Sequence, residues 1–477
     1  MKKRFLTNLA LLILLNLLIK PFWFFGIEVG VQNRVGEEIY GFYFSLFNFA
    51  FILNILLDLG INNFNNRAIS REPGYLRDYL AAIIPLKLVL SFAYAGVAYT
   101  AGRIIGYSSE QFSMLWVLIA NQFLASFILY FRSNISGLQY FRTDSLLSVL
   151  DRSLMILITG LLLWGNIIKK PFKIEWFVYA QSLSYVITLI TVAAMVRYRS
   201  GAFLHRVSFR RSREVLQMSY PFALLILLMS IFNRVDSVML ERLLPNGREE
   251  AGIYAQSFRI FDAASQFSLL FAALLLPMFS KMIKLREDVN DLVRTALPLL
   301  MVAGITLAIS CNFYRTSIID LLYIDPAAHS PTVFGILMVG FLFVSTSYIY
   351  GTLLTANNNL RQLNMIAGLT VILNVSLNLI LIPRYQSVGA AISSLTAQGF
   401  YAAAQMVLTR KIMKISLNGD IMLKLAAFLV LNIGMGYLTL LFPVWTPGFL
   451  ILLSSCLVSA LLLGLIRPRE LLSIINS

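Results

Sequence analysis

Long apolar segments determine what this chain can fold into. Fourteen stretches of about 20 residues are rich in Leu, Ile, Phe and Val and lack the alternation of a strand. A helix needs about 20 apolar residues to cross a bilayer. The sequence therefore predicts an all-α polytopic membrane protein with about 14 transmembrane helices. The predicted spans are residues 5–26, 41–64, 79–100, 111–131, 145–166, 175–196, 217–240, 251–276, 293–314, 332–356, 362–383, 387–409, 421–442 and 447–466.

The composition excludes a soluble enzyme. Apolar residues make up 58% of the sequence and charged residues 13%, whereas about 25% charged residues is usual in soluble domains. A single soluble core also stops growing near ~250–300 residues. Two cysteines and two histidines provide neither a disulfide framework nor a metal-ligand cluster, so we expect no cofactor and no metal.

The basic residues indicate which loops face the cytoplasm. We interpret the first apolar segment as a retained helix, because no small-residue cleavage site follows it. With the N-terminus inside, 25 of the 39 Lys and Arg residues fall in cytoplasmic segments and 9 in outer loops. This bias predicts that both termini are cytoplasmic, and it explains the net charge of +16 without a nucleic acid partner. Lys169, Lys170 and Lys173 disagree, so either the rule is broken locally or spans five and six are misassigned.

A basic linker divides the predicted spans into groups. Residues 198–216 separate a six-helix N-terminal lobe, residues 1–197, from a six-helix C-terminal lobe, residues 217–410. Residues 411–477 form a terminal helix pair. We expect the two lobes to surround a central cleft. The linker itself is also explained as a topogenic loop facing lipid headgroups.

A faint internal repeat agrees with this division. Glu37 and Glu38 precede a Gly-x-Tyr motif that begins at Gly41, and Glu249 and Glu250 precede another that begins at Gly252. Both motifs open a helix on the predicted outer side, one lobe apart. Repeated lobes are typical of transporters.

Ionisable residues inside the spans are candidates for function. At mid-bilayer such a residue costs about 2.5–3.5 kcal/mol, so it faces a partner or a wet cavity. By depth we expect an outer, mainly cationic group and a more balanced inner group. The outer group contains Lys20, Arg234, Asp236, Arg259 and Asp262, and the inner group contains Asp58, Lys87, Asp151 and Arg152.

Simpler structural explanations exist for these residues. Lys20 can extend to the outer interface. Ion pairs can hold helices together without any role in transport. The candidate pairs are Lys87 with Asp58, Arg234 with Asp236, and Arg259 with Asp262. The residues alone leave these alternatives open.

Three stretches of the sequence resemble a known family. They are residues 31–43 followed by 57–61, residues 233–236 followed by 251–254 and Arg259, and residues 387–392. They are similar to bacterial polysaccharide-biosynthesis flippases. These form the lipid-linked oligosaccharide branch of the multidrug/oligosaccharidyl-lipid/polysaccharide exporter superfamily.

The resemblance implies a substrate and a mechanism. It implies that the chain moves a polyprenyl-pyrophosphate-linked oligosaccharide from the inner to the outer leaflet by alternating access. The destination is a cell-surface polysaccharide such as O-antigen. The implied location is the bacterial cytoplasmic (inner) membrane. The implied partners are this lipid, membrane lipids, and the polymerase and glycosyltransferases of the same pathway.

The resemblance also implies a binding site. Lys20 on the first helix and Arg259 on the eighth are expected to bind the pyrophosphate, with Arg34 at the outer mouth. Lys87 and Arg234 are further candidate cations of the cleft. The candidates for proton or cation coupling are Asp58, Asp236 and Asp262.

Other functions remain as alternatives. A drug/cation antiporter of the same superfamily would need a carboxylate-rich cavity, whereas cations and acids are about equally numerous in these spans. A polysaccharide polymerase or ligase would be expected to carry a large outer loop with catalytic Arg or His. The longest outer loop here is residues 315–331. We therefore expect no enzyme activity, and a channel lacks a filter-like segment.

Overall fold

The computed structural model describes residues 15, 18–72, 74, 76–165, 170–200, 209–415 and 419–466. Every regular element in these ranges is a helix. The beginning of the predicted first span, the linker residues 201–208 and the C-terminal residues 467–477 lie outside the described residues.

Twelve helical stretches in the described part of the chain are long and apolar enough to cross a membrane. They are Leu18–Leu57, Leu76–Ile105, Ser109–Gly137, Phe141–Trp164, Ile174–Ser200, Ala223–Leu243, Gly247–Leu285, Asn290–Phe313, Ser330–Ala356, Leu360–Met413, Gly419–Thr439 and Trp445–Leu462.

The first stretch reverses direction at Gly36. This residue has φ 82° and ψ 170°, a conformation that only glycine adopts readily. The hydroxyl of Tyr40 donates a hydrogen bond to the carboxylate of Glu28, twelve residues away. Residues twelve apart on one straight helix lie about 18 Å from each other. Leu18–Leu57 therefore contains two antiparallel helices.

The stretch Leu360–Met413 also contains a reversal. Gln386 has φ 53° and ψ −133°. A Cβ atom on Gly389 would collide with the carbonyl oxygen of Leu381, although eight residues span about 12 Å along a helix. With both reversals counted, the twelve stretches contain fourteen transmembrane segments, and the predicted fold class is confirmed.

We number the helices in chain order, including two short ones that do not cross the membrane, α3 and α11. They are α1 (18–35), α2 (37–57), α3 (Ile61–Arg71), α4 (Leu76–Ile105), α5 (Ser109–Gly137), α6 (Phe141–Trp164), α7 (Ile174–Ser200), α8 (Phe209–Leu243), α9 (Gly247–Leu285), α10 (Asn290–Phe313), α11 (Arg315–Leu322), α12 (Ser330–Ala356), α13 (360–385), α14 (387–413), α15 (Gly419–Thr439) and α16 (Trp445–Leu462).

The chain forms two compact units. Unit 1 consists of Met1–Arg242 and Asn246–Gly252, and unit 2 consists of Leu243–Pro245 and Ile253–Ser477. The predicted lobe boundaries at residues 197 and 217 stay a prediction, because the linker between them is only partly described.

Loop contacts in unit 1 test the predicted order of spans. Arg34 donates to the carbonyl of Leu163, so the α1–α2 turn and the end of α6 lie at the same end of the unit. Arg77 donates to the carbonyl of Ser200, which joins two loops predicted for the other end. Both contacts agree with the predicted alternation of spans five and six. Lys169 lies outside the described residues, and which end of the unit faces the cytoplasm stays a prediction.

Apolar side chains fill the interior of each unit and also cover much of its surface. In unit 1, helices α3 to α7 share a buried cluster that includes Leu80, Tyr130 and Val192. In unit 2, one cluster joins α9, α10 and α12, and another joins α10, α15 and α16. Large apolar side chains such as Phe92 and Leu462 are exposed along the spans. In a membrane protein such surfaces contact lipid tails.

Candidate functional site

Lys87 is the centre of a buried polar contact in unit 1. Its side chain on α4 is fully buried. The ammonium Nζ donates to the carbonyl oxygen of Leu57 at 2.8 Å and to Oγ of Ser126 at 2.8 Å. It also forms an ion pair with Asp58 at 3.5 Å. The structure thus contains the predicted Lys87–Asp58 pair.

The local backbone explains why a cation lies there. The last turn of α2 is a 3₁₀ helix, and Leu59 and Gly60 follow with φ 45° and 85°. The helix therefore ends inside the unit, where its last carbonyl groups need donors. Lys87 donates to that of Leu57, and a cation also suits the negative end of the helix dipole. Asp58 in turn accepts from the backbone N–H of Asn62 in the first turn of α3.

Arg234 joins α8 to α2. Its Nη1 donates to Oδ1 of Asn48 at 2.9 Å, and its guanidinium carbon lies 4.1 Å from the ring centre of Phe51. Nδ2 of Asn48 donates to Ser237 at 2.9 Å. Asp236 is fully buried on the same helix. The candidate Arg234 thus contacts α2 at Asn48 and Phe51, within unit 1.

The remaining predicted cations are distributed over both units. Lys20 is half-buried on α1, and Arg34 is exposed at the α1–α2 turn. In unit 2, Arg259 on α9 is 8% exposed. Asp262 lies one turn further along α9 and interacts electrostatically with Tyr348 on α12. The predicted convergence of Lys20 and Arg259 on one ligand stays a prediction.

A buried acid on α1 was missed by the sequence analysis. The predicted first span ended at residue 26, which placed Glu28 in a loop. The helix continues to Gly36, and Glu28 is only 4% exposed. Tyr40 donates to its carboxylate. No proline occurs between Phe25 and Gly36, but Gly26, Gly30 and Asn33 do, so the signal that the helix continues past residue 26 was weak.

Arg152 lies close to α1. The prediction grouped Arg152 with Asp58, Lys87 and Asp151 by depth. Its guanidinium carbon lies 5.2 Å from the ring centre of Trp23, and its electrostatic neighbours are Tyr185, Asp151 and Glu28. Depth along a span could not reveal this, because contacts depend on which face of α6 meets α1.

The two Gly-x-Tyr motifs contact each other in unit 1. A Cβ atom on Gly41 would collide with the carbonyl of Arg248, and one on Gly252 would collide with the carbonyl of Glu37. Nε2 of Gln32 donates to the carbonyl of Gly252 at 2.9 Å. Helices α2 and α9 therefore cross at their first turns with backbone against backbone. The sequence identified the motifs as a repeat but not as partners.

Polar side chains surround this crossing. Nε2 of Gln111 donates to Glu241 at 2.8 Å, and Arg242 forms an ion pair with the same carboxylate. The guanidinium carbon of Arg242 lies 4.7 Å from the ring centre of Tyr107. Burial, followed by the charge of Glu241, raises the pKa of the Tyr107 hydroxyl, which therefore stays neutral.

The geometry of unit 1 and the sequence can now be compared with known proteins. A family model described as polysaccharide biosynthesis protein matches residues 5–283, more than half of the chain. The chain belongs to the polysaccharide biosynthesis protein family. The resemblance noted in the sequence is thereby confirmed. A comparison with curated protein sequences finds no match.

Solved structures show that this polysaccharide biosynthesis family member has a transporter fold. The lipid II flippase MurJ in an inward closed conformation aligns with a TM-score of 0.75 and 15% identity, over 96% of this chain and 100% of that chain. An inward-facing MATE multidrug transporter aligns with a TM-score of 0.65 and 17% identity, over 82% and 94%. A MOP superfamily transporter from Pyrococcus furiosus aligns with a TM-score of 0.61 and 16% identity, over 86% and 95%.

Proposed function

We propose that the chain is a flippase for a polyprenyl-pyrophosphate-linked oligosaccharide. It moves this lipid from the inner to the outer leaflet by alternating access, in the export of a cell-surface polysaccharide. The observation that carries the proposal is the family match over residues 5–283. The fold it shares with a lipid II flippase is consistent with a lipid-linked substrate. The proposed location is the bacterial inner membrane, with both termini in the cytoplasm.

The proposed ligand is an anion, and cations are the groups that bind it. Arg259 is buried and Lys20 is half-buried, so each is largely withdrawn from bulk water. In such surroundings a charge-assisted hydrogen bond to pyrophosphate is stronger than at a surface. Arg34, exposed at the α1–α2 turn, is proposed to meet the anion at the outer mouth.

In this proposal Lys87 and Arg234 stabilise the fold and do not contact the substrate. Both already hold contacts that fix the position of α2, Lys87 at its inner end and Arg234 along its length. A cation that donates to a carbonyl or an amide oxygen of α2 stabilises the fold. We therefore propose that these two residues hold α2 in place while Lys20 and Arg259 contact the substrate.

The coupling residues are proposed among three carboxylates. Asp236 is fully buried, Asp262 is half-buried, and Asp58 is paired with Lys87. A proton or cation bound at a carboxylate within the membrane removes a costly charge and thereby biases one conformation. The polymerase and glycosyltransferases of the same pathway are the proposed protein partners.

A transport assay tests the proposal. The full chain is reconstituted in vesicles with a fluorescent polyprenyl-pyrophosphate oligosaccharide, and the rate at which the label becomes accessible to an impermeant quencher is measured. We expect transport by the native chain, and a rate at least about tenfold lower for Lys20→Gln and for Arg259→Gln, because each loses a charge-assisted bond. A cationic dye is tested in parallel.

The matched control is Lys424→Gln, which removes a cation from a surface pair with Asp420. It should transport within about twofold of the native rate, because exposed pairs contribute little. Native rates in both site variants would contradict the cationic site while leaving the flippase in place. Movement of the cationic dye, with no movement of the lipid, would identify a drug/cation antiporter instead.

A further inference from the structure

A polar cavity lies at the end of unit 1 that is predicted to be cytoplasmic. Its volume is about 570 Å³, within the range of sites for small molecules. Three loops that the sequence assigned to one side of the membrane form its wall. The residues that line it include Arg77, Gly137, Gln139, Tyr140, Arg199 and Ser200.

The wall has a net positive charge. Two arginines line the cavity, and no Asp or Glu is among its lining residues in the described part of the chain. Asp144, on the neighbouring helix α6, is already paired with Arg132 at 2.8 Å. This nearby carboxylate thus has a cation of its own outside the cavity.

The two guanidinium groups are held in place without using all of their donors. Nε of Arg77 donates to the carbonyl of Ser200. This bond fixes the plane of the guanidinium group, and the remaining N–H groups of Arg77 are not part of it. The guanidinium carbon of Arg199 lies 4.5 Å from the ring centre of Tyr140 and 5.6 Å from that of Tyr198, which are cation–π distances. Planar guanidinium groups arranged in this way suit the oxygens of a phosphate.

The turn between α5 and α6 contributes to the cavity wall. Gln139, two residues after the end of α5, has a left-handed conformation with φ 65° and lines the cavity.

The aromatic residues place the cavity at headgroup depth. Tyr198 is 83% exposed and Tyr140 is 41% exposed, at the end of α7 and the beginning of α6. Exposed tyrosines beside arginines at helix ends are typical of the membrane–water interface. A ligand there meets the phosphate level of the bilayer.

From these observations we infer that the cavity binds the phosphate group of an anionic membrane lipid, with Arg77 and Arg199 as its cationic contacts. The inference does not depend on what the protein transports. A free phosphate compound from the cytoplasm carries the same chemistry, and the experiment separates the two sources.

Native mass spectrometry of the full chain in detergent measures the binding. The probes are phosphatidylglycerol, phosphatidylcholine with the same acyl chains, and inorganic pyrophosphate. We expect one phosphatidylglycerol molecule bound at least about tenfold more tightly than phosphatidylcholine, because only the former has an uncompensated phosphate charge. Arg199→Gln should lose about tenfold in affinity for phosphatidylglycerol, and Arg77→Gln should lose a similar amount.

Two controls separate recognition from folding. Arg142→Gln removes an exposed cation two residues beyond Tyr140 that does not line the cavity, and should bind within about twofold of the native chain. Arg199→Gln breaks only ring contacts among the described residues, so its melting temperature without lipid should stay native. Arg77→Gln also loses the bond to Ser200. Its loss of lipid affinity is attributed to recognition only when Arg199→Gln loses affinity and keeps the native melting temperature.

The outcomes are distinct. Displacement of phosphatidylglycerol by millimolar pyrophosphate supports the site and assigns its specificity to the phosphate alone. Lack of displacement, with phosphatidylglycerol still preferred, supports the site and assigns it to an intact lipid. Equal binding of the two lipids, or undiminished binding by Arg199→Gln, would overturn the inference.

Discussion

The two ends of α2 are held by different kinds of contact, one through the backbone and the other through a charged side chain. At the first turn, Gly41 brings the helix backbone directly against the backbone of α9 at Arg248. At the last turn, the long side chain of Lys87 reaches from α4 to the carbonyl of Leu57 and to Asp58. The first contact depends on the absence of a side chain, and the second on the length and charge of one.

The difference follows from how each end of the helix meets its neighbours. The first turn crosses α9 closely, and a crossing with backbone contact leaves no room for a Cβ atom. The last turn ends in a 3₁₀ helix with exposed carbonyls inside the unit. Such carbonyls need donors, and that of Leu57 accepts from Lys87 on α4 and from Ser126 on α5. The ends should therefore respond to different substitutions.

The largest effect is expected at the glycine crossing. Gly252→Val should destabilise the protein by more than about 3 kcal/mol, because its side chain meets a backbone carbonyl that cannot move aside. Thermal unfolding in detergent measures the change. Gly96→Ala on α4 is the matched control, since a Cβ there meets nothing within 4 Å. A native melting temperature for Gly252→Val would show that the crossing is loose.

A smaller effect is expected at the last turn of α2. Lys87→Met should cost about 3 kcal/mol, since it removes the cation that pairs with Asp58 and one of the two side-chain donors to the Leu57 carbonyl. We place the value at the lower end of the range for buried pairs because Asp58 is 24% exposed. Thermal unfolding of Lys87→Met, Asp58→Asn and the double variant forms a cycle. Strict additivity in that cycle would contradict a coupled pair.

The smallest effect is expected from the ion pair beside the crossing. Arg248 and Glu110 are 2.9 Å apart, but their side chains are largely exposed. Glu110→Gln should change stability by less than about 0.5 kcal/mol, with an effect that fades at high salt. Unfolding at two salt concentrations checks this. A loss of stability as large as that of Lys87→Met would mean that charge, rather than close glycine packing, stabilises the first turn of α2.

Some contacts at the two ends of α2 could be predicted from the sequence. The Lys87–Asp58 pair was a stated alternative, because both residues lie inside apolar spans where an uncompensated charge is costly. The Gly-x-Tyr motifs were recognised as a repeat. Their mutual contact was not predicted, because sequence similarity between two segments carries no information about whether they touch.

Other contacts depended on helix rotation and on the true end of a span. Glu28 was assigned to a loop because the predicted span ended at residue 26, whereas the helix continues to Gly36. The contact of Arg152 with Trp23 was not predicted, because depth along α6 does not define the face that meets α1. A hydropathy pattern gives the position of a residue along the membrane normal and leaves its angle around the helix open.

The apolar segments were enough to predict an all-helical membrane protein with fourteen spans, because each such segment must satisfy its own backbone in lipid. They also predicted the order in which loops alternate between the two ends. Which charges meet became visible in the folded chain, since pairing depends on side-chain direction and helix contact. Lys87 contacts the last turn of α2, Glu28 is buried on α1, and two arginines line a cavity that no motif had indicated.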